Sequence, residues 1–125
     1  MNNKLEKIFN AYNTKYQLKA QLSFNNDIGT KFISSTNCII LDLKKLDIKD
    51  LKSRCIEAVK TTKQYQKWAL LHEICHVIEW KAGILQQDIK NCDFFLYNND
   101  RKYHHECSFE KRADAYANEN IKNYL

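Results

Sequence analysis

Trp68-Ala69-Leu70-Leu71-His72-Glu73-Ile74-Cys75-His76-Val77-Ile78-Glu79-Trp80 is the stretch on which the reading of this chain turns. It contains His-Glu-x-x-His, and at 3.6 residues per turn His72 and His76 stand one above the other on one helix face. Imidazoles so spaced can bind one zinc ion, each at about 2 Å. Glu73 lies next to them around the helix, where its carboxylate can reach an attacking water without serving as a ligand. Apolar residues precede and follow the motif, which predicts a helix buried in a core, running from about Tyr65 to Ala82 and stopping at Gly83. Cys75 faces away from the histidines and reads as a small core residue. The ordinary alternative for the motif is a helix whose histidines only satisfy hydrogen bonds.

A catalytic zinc needs a third protein ligand and an open position. The positions where a metzincin would place its glycine and third histidine hold Glu79 and Ala82, which removes that class. His104 and His105 fall in a polar, loop-like stretch, and Asp88 and Asp93 lack a supporting pattern. Glu110 is better placed, on a last helix that starts near Ser108 and carries the apolar stripe Phe109, Ala113, Tyr116, Ala117, Ile121 and Tyr124. Asp114 follows Glu110 by one turn, so one carboxylate can ligate the metal while the other orients a ligating histidine. The ordinary reading of this pair is a solvated acidic face beside Lys111 and Arg112.

Trp68–His76 followed by Glu110-Lys111-Arg112-Ala113-Asp114-Ala115-Tyr116-Ala117 resembles the ImmA/IrrE family of metallo-endopeptidases. The likeness spans about residues 30–120, with its specificity in those two blocks. It implies an α+β, minimal gluzincin-like (zincin-like) domain: a short β-sheet packed on the active-site helix and the C-terminal helix, with an edge strand lining the cleft. It also implies zinc held by His72, His76 and Glu110, with Glu73 as the catalytic glutamate. Family members act on transcriptional repressors, often of phages and other mobile elements. The chemistry implied is hydrolysis of a peptide bond by a water that Glu73 activates, with Asp114 orienting a histidine. Tyr103, His104 and His105, shortly before Glu110, are the candidates for stabilising the oxyanion, and Ile39 or a neighbour on an edge strand could hold an extended peptide.

Outward from these blocks, Leu5, Ile8, Phe9, Tyr12 and Tyr16 recur at helical spacing near the N-terminus. Asn25–Gly29 is turn chemistry, and Lys31–Ser34 and Cys38–Leu41 are β-prone runs joined by Ser35-Thr36-Asn37, as in a hairpin. Asp47 or Asp50 could cap a further helix with Leu51, Cys55, Ala58 and Val59 on one face. Residues 84–107 read as mixed, with a turn at Asn98-Asn99-Asp100. Phe94, Phe95 and Tyr97 read as core or cleft wall.

The whole, 125 residues and 14.9 kDa with 44% hydrophobic residues, is read as one domain, residues 1–125. The start of the chain lacks the apolar core of a signal peptide, and no stretch approaches a membrane span. Five cysteines without a C-x-x-C pair favour a reducing, cytoplasmic setting over a disulfide framework. The net charge of +5 is concentrated in residues 44–67, where eight Lys/Arg face three acids. That segment could contact nucleic acid or an acidic partner, although a solvated lysine-rich face is the commoner outcome. Three readings follow: a zinc endopeptidase cleaving a regulatory protein, a zinc-binding regulator of the same fold that binds a repressor or nucleic acid without proteolysis, or, were both motif blocks accidental, a small interaction protein without metal.

Overall fold

The computed structural model describes residues 3–51 and 53–125. Its axis is helix α2, Thr62–Lys81, which carries apolar residues on nearly all sides because neighbours cover nearly all of it. Thr61 starts it with a capping box: its side chain accepts from the Gln64 amide, and the Gln64 side chain accepts from the Thr61 amide. Gly83, at φ 81°, ends it in the left-handed conformation that glycine adopts at low cost. Leu70, Leu71, Ile74 and Val77 are wholly buried, so the helix is expected from its sequence and found with nearly the expected bounds.

Helix α1, Asn3–Lys15, lays Leu5, Ile8, Phe9 and Tyr12 onto this core, while Tyr16 falls beyond its end and is exposed. Three strands follow: β1 Gln21–Phe24, β2 Lys31–Ile33 and β3 Cys38–Leu41. The order is β1-β3-β2, with β1 parallel and β2 antiparallel to β3. The expected hairpin is therefore β2–β3, but β1 was not expected. Four residues after an irregular connection give too short an alternation to read. Because β3 is central, with Leu22 and Phe32 both in register with Ile39, Ile39 has no free backbone edge and is fully buried. An edge role for Ile39 is corrected: β2 is the strand that borders the cleft. Asp42, fully buried after β3, accepts from the Gly29 amide at 3.0 Å and the Lys45 amide at 3.3 Å, which ties the turn before β2 to the sheet.

Among the described residues of 47–59 no α-helix forms, contrary to expectation. Asp47 caps only a 3₁₀ turn, Ile48–Asp50, and the described residues after it run irregularly to α2. The reason lies in Asn118 on α6, Ser108–Asn120. Its side chain accepts from the Ile56 amide (3.0 Å) and the Trp68 indole (2.8 Å), and donates to the Arg54 carbonyl (2.9 Å). Backbone groups that a local helix would have paired internally are bound to another element instead.

Residues 84–107 form three short helices: α3 Ile84–Lys90, α4 Phe94–Asn99 and α5 Arg101–Glu106. Their polar junctions are caps, since Asp93 accepts from the Leu96 amide and Asp100 from the Tyr103 amide. His104 and His105 thus stand on a helix and not in a loop. Phe94 and Phe95, expected in the core or cleft wall, are 55% and 74% exposed. The described helices include none long and apolar enough to cross a membrane. Asn118→Ala, which removes three hydrogen bonds and leaves an indole and an amide unpaired, is expected to cost about 2–3 kcal/mol in urea unfolding. A loss well under about 1 kcal/mol would mean that Asn118 does not hold this segment.

Candidate metal centre

Helices α2 and α6 run antiparallel, and their facing side chains pair in steps of four residues. Trp68 meets Asn118, His72 meets Asp114, and His76 meets Glu110. Helical periodicity on both sides therefore carries two imidazoles and two carboxylates into one buried cluster. His72 Nδ1 lies 2.8 Å from Asp114 Oδ1, and its Nε2 lies 2.8 Å from Glu110 Oε1. His76 Nε2 lies 3.1 Å from that same Glu110 oxygen. Glu73 Oε2 stands 3.8 Å from His72 Nε2. The ligand atoms of His72, Glu73 and His76 all fall within 4.8 Å of one another, and this buried group could hold a metal ion.

The donor set fits a cation. Asp114 can only accept, so His72 donates from Nδ1, and its neutral form then turns a lone pair from Nε2 toward the Glu110 carboxylate. Two acceptors 2.8 Å apart need positive charge between them, from a proton or a metal. The metal-free protein supplies a proton. Burial works against the imidazolium, but the hydrogen bonds to Asp114 and Glu110 outweigh it and push His72 up to about 10. Burial likewise disfavours the Glu110 carboxylate, yet its contacts with His72 and His76 hold it well below the usual carboxylate range. His76 Nδ1 is buried without a hydrogen-bond partner among the described residues, so only what sits on Nε2 selects its tautomer.

The remaining expected residues are sorted by the cleft, which opens over the cluster with a volume of about 290 Å³ and is walled on one side by Thr30, Lys31, Phe32 and Ser34. Tyr103 is misplaced as an oxyanion donor: its hydroxyl accepts from the Asp93 amide at 3.0 Å, and it does not line the cleft. His105 lines the cleft but is engaged by Arg54, whose Nη1 donates to His105 Nδ1 at 3.0 Å. His104 comes closer to the centre, with Nε2 3.6 Å from Glu110 Oε2. Asp88 is no ligand candidate here, since it pairs with Arg112, which also binds Glu79 through Nε at 2.7 Å and Nη2 at 2.9 Å. Asp93 is occupied as a helix cap. Cys75 is buried as expected, and burial pushes its thiol up to about 12.

Two residues have no role in the site assigned from sequence: Tyr97, expected only as core or cleft wall, does line the cleft, and Arg54 is counted only in the basic segment. Tyr97 donates its hydroxyl to Glu110 Oε2 and stacks on His104 at 4.1 Å. Burial and then the charge of Glu110 keep this phenol far above its usual range, so it stays a donor. Arg54 reaches Asp114 Oδ1 at 3.5 Å and lies over the Trp68 ring at 5.4 Å. One was hidden in an aromatic triplet and the other in a charge run. Asn118 did carry a signal, as the next step of four after Glu110 and Asp114.

No protein-family model, curated protein or solved structure matches this chain. Asp114→Asn, which keeps the shape but removes the charge behind His72, is expected to weaken binding of added zinc by about 10–100-fold in competition with a chromophoric chelator. Unchanged affinity would detach Asp114 from the centre.

Proposed function

We propose that this chain is a zinc-dependent endopeptidase with a minimal gluzincin-like fold. On the ImmA/IrrE resemblance, its substrate is a transcriptional repressor or another regulatory protein of a phage or mobile element. One observation carries the reading: the Nε2 atoms of His72 and His76 converge on a single oxygen of Glu110, with the Glu73 carboxylate beside them. His72, His76 and Glu110 would hold a zinc ion, which when bound would supply Lewis acidity.

The chain's own residues do the rest. Glu73 takes a proton from the attacking water as the oxygen–carbon bond forms, and returns it to the departing amine nitrogen as the carbon–nitrogen bond breaks. Asp114 keeps His72 in the tautomer that presents Nε2 to the centre. Tyr97 and His104 act on the far oxygen of Glu110, Tyr97 by donating its hydroxyl and His104 with Nε2 3.6 Å away, and so would orient that carboxylate. Strand β2 borders the cleft as a sheet edge, and an extended peptide can pair with its backbone.

The basic segment 44–67 favours a second reading, a zinc-binding regulator that works by binding alone. Glu73→Gln separates the two. It is expected to retain one zinc per chain and to lose about 10²–10⁴-fold in hydrolysis of a fluorogenic peptide library. Full biological activity in Glu73→Gln would favour the regulator. Absence of zinc from the wild type even after supplementation, or retention of zinc in both His72→Ala and Glu110→Ala, would overturn the site itself.

A further inference from the structure

Beside the metal cleft lies a second recess, of about 470 Å³, and the two share Arg54, Tyr65, Tyr97, His104 and His105. Arg101, Asn98, Asn99 and Asp100 complete its rim. We propose that this recess receives an acidic side chain of the substrate, which makes Arg54 and Arg101 specificity-determining residues; the proposal rests on the peptidase reading for its occupant.

The charge is the first argument. Two arginines face one carboxylate there, and that carboxylate, Asp100, is already used in capping α5 by accepting from the Tyr103 amide at 3.1 Å. Arg54 pairs with one carboxylate, Asp114, which it shares with His72. Its contact with Asp114 is long, 3.5 Å, to an oxygen that already accepts from His72 at 2.8 Å. Its Nε is buried without a hydrogen-bond partner among the described residues.

Preorganisation is the second. The Arg54 carbonyl is held by Asn118, its guanidinium lies over Trp68, and its Nη1 donates to His105. A planar guanidinium fixed in this way matches a carboxylate and loses little freedom on binding it. His105, accepting at Nδ1, keeps its Nε2–H as a further donor. Burial and the neighbouring Arg54 lower its pKa, so it acts as a neutral donor. The number of cations is the third argument: a nucleic-acid strand would need a row of phosphate contacts, and two arginines do not make one.

The test is fluorescence anisotropy with short, neutral, labelled peptides in which a single Glu is moved along the chain, each compared with its Gln counterpart. Binding is measured to the full protein both with zinc and with chelator. One position is expected where Glu binds about tenfold more tightly than Gln at low salt. Arg101→Glu, an exposed position, is expected to abolish that preference and to favour Lys there, and Arg54→Gln to reduce it. No preferred position, or a preference that survives both substitutions, overturns the proposal. So does tighter binding of a short oligothymidylate that Arg101→Glu removes, because the recess would then be a phosphate site. An acidic preference without hydrolysis upholds the recess and sinks the peptidase. Hydrolysis without an acidic preference does the reverse.

Discussion

The imidazole of His72, held between Asp114 and Glu110 at 2.8 Å on each side, is the contact on which the arrangement depends. Burying three carboxylates and two imidazoles is costly, and a structure tolerates it only where each group finds a counter-charge or hydrogen bond. Here the counter-charge must sit between two helices, so the register of α6 against α2 admits no slip. A shift of one residue would swing Glu110 and Asp114 about 100° away from the histidines. Other contacts guard that register. Asn118 grips the Trp68 indole at one end, and Arg112 spans Glu79 and Asp88 at the other.

Much of this was legible because both motif blocks lie on long helices, where spacing along the chain converts directly into direction. The His72, His76, Glu110 and Asp114 quartet needed only that conversion. What escaped had its cause elsewhere. The expected helix after Asp47 fails because Asn118, more than sixty residues away, takes its backbone groups. No local pattern reports such a partner. Strand β1 is four residues long and gains its order from parallel pairing with β3. Proximity to Glu110 along the chain favours Tyr103, yet Tyr97 is the one that reaches it. They lie on different short helices, and only the packing of α4 on α5 decides which hydroxyl faces inward.

Arg112 shows the same limit from the other side. In the sequence it sits beside Lys111 as one more charge on a solvated face. In the structure it is the link by which α6 holds both the end of α2 and α3, binding Glu79 at the position where a metzincin has its glycine.

The molecule divides its sources of cohesion. Around α1, β3 and the first turns of α2, the sealed apolar cluster of Leu18, Ile39, Leu41, Leu70 and Leu71 suffices. On the opposite flank, α4 and α5 keep every residue at least partly exposed, with Phe94 and Phe95 more than half exposed. What holds that flank is polar: Tyr97 and His104 on Glu110, and Arg54 on His105. Each of these contacts leads back to the same charged cluster. A cation held between His72, His76 and Glu110, as proposed, would have two physical consequences in one place. It would provide the positive charge that the carboxylates require, and it would steady a wall of the cleft that the hydrophobic core does not reach.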